Sequence, residues 1–342
     1  MTERGDKVRG FQWTVDDESL ITQTSVYGQV LVELGRADPR VCVITADVGN
    51  STRLAPFRAA FPDRYFNVGI AEQAMIGVAA GLAAAGLRPI VSAYAQFATM
   101  RAAEFVRNDI AYNRQPVIIL GTLAGTSFGQ AGATHHSMED IGLMRSFPGM
   151  TVVVPCDGLA TGDALRAALR EPGPVYIRAG RGMEPAVDAA RAAPFVIGRA
   201  IELRPGRDAV VIANGPCVHH ALTAAERFAR AGASVGVLDV HTVKPLDEAA
   251  ILAAVTVTRR VVVVEDHSVI GGLGAAVAEV IARSGRGVGF RALGHRDRFY
   301  GPAVPDDLHD QAGIDADGIA AALTELLRRP PVTDGDWRDD IR

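Results

Sequence analysis

The sequence predicts an α/β protein with two parallel-sheet domains in one chain of 342 residues. Short runs of β-branched and other apolar residues alternate with longer segments of helical apolar spacing, a pattern typical of parallel sheets covered on both faces. The pattern breaks between Gly180 and Pro194 and then resumes. A chain of this length can bury two separate cores.

The first domain is predicted over residues 19–183, after a polar N-terminal arm at residues 1–18. Its first helix, at 19–34, stops at Gly35, a residue that commonly ends helices. Buried strands are predicted at 41–46, 89–92, 116–120, 151–154 and 175–177. Helices are predicted between most of these strands, at 71–86, 97–112 and 158–170.

A linker at 184–194 and a second α/β domain at 195–328 follow, and residues 329–342 form a polar tail. The strands of the second domain are predicted at 209–213, 234–239, 260–264 and 288–291. Its helices are predicted at 219–231, 247–254 and 272–283. In parallel sheets ligands bind beyond the carboxyl ends of the strands, which directs attention to the residues that follow each strand.

The composition excludes several classes of protein. With 48% hydrophobic and 22% charged residues the chain is globular, and its net charge of −4 is well mixed. No basic stripe or polybasic segment indicates nucleic acid or membrane binding, and the first residues lack the apolar core of a secretory signal. The three cysteines are too far apart for a disulfide framework or a metal site, which favours the cytoplasm.

The helix at 71–86 begins with a carboxylate, Glu72, and is otherwise almost uncharged. A buried carboxylate has to be held near neutrality or given a dedicated partner, because burial disfavours its ionised form. The alternative is that Glu72 complements the positive end of the helix dipole. Glu72 by itself does not separate these interpretations.

Familiar nucleotide-binding and hydrolase motifs are missing from the sequence. There is no G-x-x-x-x-G-K-[ST] loop, no G-x-S-x-G elbow and no H-E-x-x-H pair. The glycines at 271, 272 and 274 lie between a strand and a helix without dinucleotide-binding spacing, and close strand–helix packing explains them better. The eight histidines form no metal-ligand set, and no metal-binding residue is assigned.

Two further groups carry side chains suited to chemistry. Residues 129–140 form a glycine-rich loop in which His135 and His136 precede an acidic helix start. The loop fits either a ligand approached by backbone and imidazole, or a polar connection with Ser137 as a helix cap. Tyr94 and Phe97 fit either a core position or a flat wall for a planar ring.

Taken together and in this order, these residues resemble the transketolase family, in particular the smaller, C-terminal component of two-component transketolases. The resemblance runs from about residue 22 to about residue 327. The matching residues are Ala46-Asp47 with Ser51-Thr52, the Gly69–Gln73 run, Tyr94 with Phe97, Gly132 with Thr134-His135, and the runs 148–155, 174–178 and 264–267. The resemblance implies a thiamine-diphosphate pyrimidine-binding domain followed by a transketolase C-terminal domain.

The resemblance also implies roles in binding thiamine diphosphate. The residue that matches Glu72 hydrogen-bonds a ring nitrogen of the aminopyrimidine and favours the imino tautomer, which removes the thiazolium C2 proton. Phe97, with Tyr94 beside it, matches the aromatic wall under the pyrimidine. Asp47 matches an acid near the thiazolium. A shielded carboxyl that shares a proton with a ring nitrogen agrees with the physical argument for Glu72.

The substrate residues follow in the same way. His135 matches a histidine that contacts the hydroxyls of the donor ketose, and it is assigned a catalytic role together with Glu72. Arg178 matches an arginine that binds the substrate phosphate, and Ser51 is assigned to the substrate as well. The implied activity is the transfer of a two-carbon ketol unit from a ketose, usually phosphorylated, to an aldehyde or a specialised acceptor.

The Gly-Asp-Gly run and following Asn that hold the diphosphate and Mg²⁺ in this family do not occur in this chain. We therefore expect a separate N-terminal-type subunit to hold them. The predicted assembly is a 2+2 heterotetramer, inactive without that partner, with small sugar phosphates as substrates.

The substrate residues depart from the family pattern at four positions: Thr24, Leu123, Ala131 and His136. Each departure removes or alters a polar contact to the sugar phosphate. They leave donor and acceptor open.

Two alternatives to the transketolase function remain at this point. One is the β-component of a 2-oxoacid dehydrogenase, against which the Gly69–Gln73 run and the Ala133-Thr134-His135 sequence argue. The other is a catalytically silent partner subunit, which has no need of the acid at Glu72 or the ring at Phe97.

Overall fold

The computed structural model describes residues 23–181 and 185–332, without the side chains of residues 23–25, 191 and 192. The predicted N-terminal arm at 1–18 and most of the predicted tail at 329–342 lie outside these ranges. In the first half of the chain the elements are α1 (Gln23–Ala37), β1 (Val41–Thr45), α2 (Ala55–Ala60), β2 (Tyr65–Asn67), α3 (Glu72–Ala84), β3 (Arg88–Tyr94), α4 (Ala103–Phe105), β4 (Ile118–Thr122), α5 (Asp140–Ser146), β5 (Thr151–Val153), α6 (Gly158–Ala168) and β6 (Val175–Arg178).

The second half begins at the predicted linker. Its elements are β7 (Ile201–Arg204), β8 (Ala209–Ala213), α7 (Cys217–Arg230), β9 (Val235–Asp239), β10 (Thr242–Lys244), α8 (Glu248–Thr258), β11 (Arg260–Ser268), α9 (Leu273–Ser284), β12 (Gly289–His295), α10 (Pro305–Ala312) and α11 (Ala316–Leu327). The part of the linker that the structure describes is not an extended tether. Val187 is buried, and residues Asp188–Ala192 form a 3-10 turn.

Two sheets organise the protein, which confirms the predicted α/β fold class. The first has the strand order β10-β5-β6-β4-β3-β1-β2, and the second has the order β12-β11-β8-β9-β7. All neighbouring strands are parallel except two edge strands, β10 on β5 and β7 on β9. Both antiparallel edges, and β2, were missed because each is a segment of three or four residues, too short for a periodic signal.

The strand β10 belongs to the C-terminal half of the chain but completes the sheet of the first domain. Thr242 pairs with Val153 and Lys244 with Val152. The Nζ atom of Lys244 donates to the carbonyls of Arg145 and Phe147, at 2.9 and 2.6 Å. The two predicted domains are therefore joined by a shared sheet as well as by the linker.

Helix α3 is buried on one face only, although it is almost uncharged all round. One face, with Met75 and Ile76, is fully buried against the first sheet. The opposite face, which includes Ala74 and Val78, is exposed although it is apolar. A helix that is apolar all round is usually covered all round, so the outer face of α3 resembles an interface.

The predicted helix at 97–112 is not a regular α-helix. It contains π-helical turns at Phe97–Arg101 and Val106–Tyr112, separated by the short α4. Such π-helical turns are rare and concentrate at functional sites. The first of them carries Phe97 and lies beside the N-terminus of α3, with which it is in contact.

Candidate active site

Glu72, the first residue of α3, is buried and ion-paired. Its carboxylate is only 4% exposed, and Nη1 of Arg101 donates to both of its oxygens at 3.1 and 3.0 Å. Of the possibilities left open by the sequence, the structure therefore shows a dedicated partner. About half of the Arg101 side chain is exposed, so the pair lies at the border between the core and solvent.

Arg101 also covers the face of Phe97. Its guanidinium carbon lies 4.5 Å from the centroid of the ring, within cation–π range. A planar group that donates hydrogen bonds thus contacts both the acid of Glu72 and the face of an aromatic ring. This combination of a carboxylate and a flat apolar wall fits the aminopyrimidine end of thiamine diphosphate.

An aromatic cluster surrounds Phe97. The ring of His135 lies 5.4 Å from Phe97, 6.3 Å from Tyr94 and 5.7 Å from Phe128, the last nearly perpendicular. The Tyr94 hydroxyl donates to Oγ of Ser51 at 2.9 Å. The structure therefore brings together the predicted residues Ser51, Tyr94, Phe97 and His135, and through Arg101 connects them to Glu72.

Asp47 lies just beyond the end of β1 in a left-handed backbone conformation, with φ of 61°. The amide of Asn67 fixes it: Oδ1 accepts from the Asp47 backbone N–H at 3.0 Å, and Nδ2 donates to the carboxylate at 2.9 Å. The same Asn67 oxygen accepts from the N–H of Gly69, in the turn before α3. Asn67 thereby ties Asp47 to the segment that presents Glu72.

His135 lies near the end of a long loop, residues 124–138, which we call the His135 loop. The hydroxyl of Thr134 and Nδ1 of His135 are 3.0 Å apart. Among the described residues, no hydrogen bond reaches Nε2 of this histidine. The loop begins after Leu123, another non-glycine residue with positive φ, at 56°. Positive φ at both Asp47 and Leu123 places backbone strain at the carboxyl ends of two strands, where functional sites often store it.

Arg178 does not lie where a substrate phosphate would reach it. Its side chain is buried, and Nε donates to both oxygens of Asp140 at 3.0 and 2.8 Å. Nη2 donates to the carbonyls of Ser137 and Asp266 at 2.9 and 2.7 Å. Burial alone would lower the pKa of Arg178, but the nearby carboxylates of Asp140 and Asp266 hold it above its ordinary value. This geometry contradicts the predicted phosphate contact, and we assign Arg178 to the interior.

Another arginine, Arg181, lies beside the aromatic cluster and was missed by sequence reasoning. The guanidinium carbon of Arg181 lies 4.7 Å from the Phe128 ring centroid. The pKa of Arg181 is lowered, first by partial burial and then by the charge of Arg53, while Tyr94 acts in the opposite direction. The charge of Arg181, with Arg53 close enough to act on it, suits a phosphorylated substrate. Arg181 follows Arg178 by three residues, so the sequence carries a basic signal at this strand end but does not show which arginine faces the aromatic cluster.

The positions that depart from the family pattern have structural roles here. Leu123 is buried, and Ala131 is half-buried in a 3-10 turn, Gly129–Ala131. His136 is buried with Nε2 3.0 Å from the carbonyl of Gly129, so it braces the His135 loop from inside. The side chain of Thr24 lies outside the described part of the chain.

In the C-terminal domain, the glycines at 271–274 and the neighbouring residues Glu265 and His267 have structural contacts. The carboxylate of Glu265 accepts from the backbone N–H groups of Leu273 and Gly274 at 2.7 and 2.8 Å. A Cβ on Gly272 would lie 2.1 Å from this carboxylate, so the glycine permits the close approach. The backbone N–H groups at the start of α9 are therefore bound by a carboxylate of the same chain and not left for an anionic ligand. His267 is buried beside Glu265, and its Nε2 accepts from the N–H of Gly142 at 3.3 Å.

Membrane spans and metal clusters are both missing from residues 23–181 and 185–332. No helix there is long and apolar enough to cross a membrane. No group of three or more His, Cys, Asp or Glu side chains in the same residues is arranged to hold a metal ion.

Comparison with known families and proteins gives a consistent result. The family description "Transketolase, pyrimidine binding domain" matches residues 20–185, and "Transketolase, C-terminal domain" matches residues 198–319. A putative transketolase C-terminal section from Methanocaldococcus jannaschii is 40% identical over 304 residues, covering 89% of this chain and 95% of that protein. An apulose-4-phosphate transketolase subunit from Phocaeicola vulgatus is 36% identical over 311 residues, covering 91% and 99%.

A solved structure described as "Split gene transketolase, inactive beta4 tetramer" superimposes with a TM-score of 0.83 at 39% identity. It covers 90% of this chain and 98% of the solved one. The two family matches and these relatives agree. The chain belongs to the transketolase family and carries its pyrimidine-binding and C-terminal domains.

Proposed function

We propose that this chain is the C-terminal-type subunit of a two-chain, thiamine-diphosphate-dependent transketolase that transfers a two-carbon ketol unit from a ketose to an aldehyde. The observation that carries the proposal is the buried Glu72 carboxylate, paired to a planar group that also covers Phe97. Thiamine diphosphate supplies the nucleophilic carbon that takes up the two-carbon unit. Glu72 would exchange Arg101 for the pyrimidine nitrogen and hold a proton there, and Phe97 with Tyr94 would form the wall for the ring. Asp47 is fixed beside them by Asn67.

The donor ketose is placed on the side of His135. The Nε2 atom of His135 and the hydroxyl of Ser51 are suited to sugar hydroxyl groups, because a hydroxyl both donates and accepts hydrogen bonds and an imidazole nitrogen does either one according to its tautomer. Arg181 and Arg53 replace Arg178 as the residues proposed for a phosphate group. A phosphorylated donor is supported by the relative described as an apulose-4-phosphate transketolase subunit.

A second chain is proposed to complete the site. The apolar surface around Glu72 is exposed in this chain: Ile70 and Tyr112 are 79% and 83% exposed, and Val78 and Met100 lie on the same region of the first domain. Burying such a surface on a partner lowers the free energy of the complex. In the described residues no acidic cluster suits Mg²⁺, so the partner is proposed to hold the metal and the diphosphate in a 2+2 assembly. The three buried thiols fit the proposed cytoplasmic location.

The test is reconstitution with the N-terminal-type transketolase subunit from the same genome. Binding of thiamine diphosphate with Mg²⁺ is measured by calorimetry, and turnover is measured with phosphorylated ketoses and with 2-oxoacids. We expect cofactor binding and ketose cleavage only when both chains are present. Tight cofactor binding and turnover by this chain alone would contradict the need for a partner, and 2-oxoacid decarboxylation without ketose cleavage would contradict the reaction.

The role of Glu72 is tested with Glu72→Gln in the reconstituted complex. We expect turnover to fall to background while the complex still assembles, since the amide cannot hold the proton as the acid does. Glu33→Gln is the matched control, because Glu33 is also paired with an arginine, Arg166, but is exposed on α1. Near-normal turnover of Glu72→Gln would refute the assigned role.

A further inference from the structure

The His135 loop is closed at its base and faces the C-terminal domain. Gly125 and Ser137 exchange two backbone hydrogen bonds of 3.0 Å as an isolated antiparallel bridge. The position of the residues between them therefore depends on this bridge and on the side chains that pack against it. His135 precedes Ser137 by two residues, so a movement of the bridge also moves the His135 imidazole.

Asp266, from β11 of the C-terminal domain, lies directly beneath the base. Its carboxylate accepts from the Thr126 backbone N–H at 3.1 Å and from the Thr126 hydroxyl at 3.0 Å. A Cβ on Gly125 would lie 2.0 Å from the same carboxylate, so the glycine lets the acid approach the loop backbone. The Asp266 backbone carbonyl accepts from Arg178, which also donates to the carbonyl of Ser137. Asp266 thus contacts one side of the loop base directly and is linked to the other side through Arg178.

The same domain holds the loop at three further points. The N–H of Ala303 donates to the carbonyl of Gly129 at 3.2 Å, and the N–H of Ser268 donates to the carbonyl of Met138 at 2.8 Å. Pro302 packs against Gly132, where a Cβ would lie 3.1 Å from its ring. These contacts leave the aromatic side of the loop directed toward Phe97 and Tyr94.

Asp266 is kept ionised by two histidines behind it. Its carboxylate lies 2.8 Å from Nε2 of His295 and 3.7 Å from Nε2 of His309. Burial alone would raise the pKa of Asp266, but His295 and His309 outweigh this and hold it well below its usual range. His309 is in turn 3.3 Å from His220 on α7. An acid backed by two imidazoles is a stronger acceptor for the loop than a neutral amide would be.

We propose that Asp266 is a positioning residue for the donor substrate: it fixes the His135 loop, and the C-terminal domain thereby sets the place of His135 without touching the substrate. The inference depends on the proposed function for its kinetic consequence but not for the anchoring itself. No contact of Asp266 reaches Glu72 or Phe97 among the described residues. Its loss is therefore expected to weaken donor recognition while leaving the cofactor end of the site intact.

The anchoring is tested in the chain alone by hydrogen–deuterium exchange of peptides covering residues 124–138. The first variant is Asp266→Asn, which keeps the size of the side chain but removes its charge. The second is Thr126→Val, which removes only the hydrogen bond from the Thr126 hydroxyl and so still tests the anchoring if Asp266→Asn does not fold. Glu265→Gln is the matched control, because Glu265 is an equally buried neighbouring carboxylate whose hydrogen bonds stay within the C-terminal domain. We expect exchange in 124–138 to increase about tenfold or more in the first two variants and not in the control.

The kinetic part uses the reconstituted complex. For Asp266→Asn we expect kcat/KM for the donor to fall about ten- to a hundredfold, the range for a lost hydrogen bond to a charged acceptor, with unchanged affinity for thiamine diphosphate. In a His135→Ala background the same substitution should add little, because Asp266 acts through His135.

Unchanged exchange in both loop variants, or an equal increase in Glu265→Gln, would overturn the inference. Equal losses of cofactor and donor affinity would also overturn it. If the wild-type complex cleaves no ketose, the proposed function fails, and the exchange experiment still decides whether Asp266 anchors the loop.

Discussion

Replacing Arg178 separates its two possible roles, because each predicts a different measurement. In Arg178→Met the buried Asp140 carboxylate loses its cation and keeps only the short hydrogen bond from the Tyr176 hydroxyl, at 2.5 Å. The carbonyls of Ser137 and Asp266 lose their donor as well. Removing one member of a buried ion pair costs about 3–5 kcal/mol, so the urea midpoint should fall by about 1 M or more.

The assay is urea unfolding followed by far-ultraviolet circular dichroism. Asp140→Asn is the paired variant: it breaks the same ion pair, but its side chain cannot bind a phosphate. Under the structural role both variants lose comparable stability. Wild-type stability of Arg178→Met, with KM raised only for phosphorylated donors, would refute the reasoning and restore the phosphate role.

Three further outcomes follow from the structure. Gly125→Ala should lower the free energy of unfolding by about 1–3 kcal/mol and raise KM for the donor, because φ of Gly125 is 59° and the new Cβ would meet the Asp266 carboxylate. Urea titration checks the stability and steady-state kinetics check KM. Arg181→Ala should raise KM for a phosphorylated ketose and leave KM for its unphosphorylated counterpart unchanged; equal effects on both would count against a phosphate contact. Burial lowers the pKa of His241 from 6.5 to about 4. The unfolded chain therefore binds a proton between these values that the folded chain does not, and stability is full above pH 6.5 and falls toward pH 4. In His241→Gln the number of protons taken up on unfolding between pH 4 and 6.5 should fall by about one, which urea titrations at several pH values measure. An unchanged slope of stability against pH would contradict this.

The fold was predictable because its core strands are buried on both faces. Runs such as Val41–Thr45 and Val175–Arg178 are continuously apolar up to their last residue or two, and their boundaries in the sequence and in the structure differ by little. The π-helical turns around α4 were not predictable, because they preserve the apolar spacing of an α-helix. The shared strand β10 was also hidden, since its pairing with β5 joins residues about ninety positions apart.

The candidate site was predictable in its residue types but not in its partners. Glu72 was recognisable as an acid in an uncharged helix, yet its pairing with Arg101 depends on the turn at Phe97–Arg101. The phosphate role of Arg178 was predicted from the family resemblance alone, which could not show that its guanidinium pairs with Asp140 in the interior. The position of a strand end is set by local sequence, but the partner of a side chain is set by the packing of distant segments.

The strand exchange at β10 has a consequence for how this family is recombined. The three residues Thr242–Lys244 travel with the C-terminal domain but form the edge of the other sheet. A chimera joined at the linker between two relatives would therefore import a foreign edge strand into the pyrimidine-binding sheet. A truncation at the same point would leave β5 with an open edge, ready to pair with another chain. The two domains are therefore expected to be exchanged together and not separately at the linker.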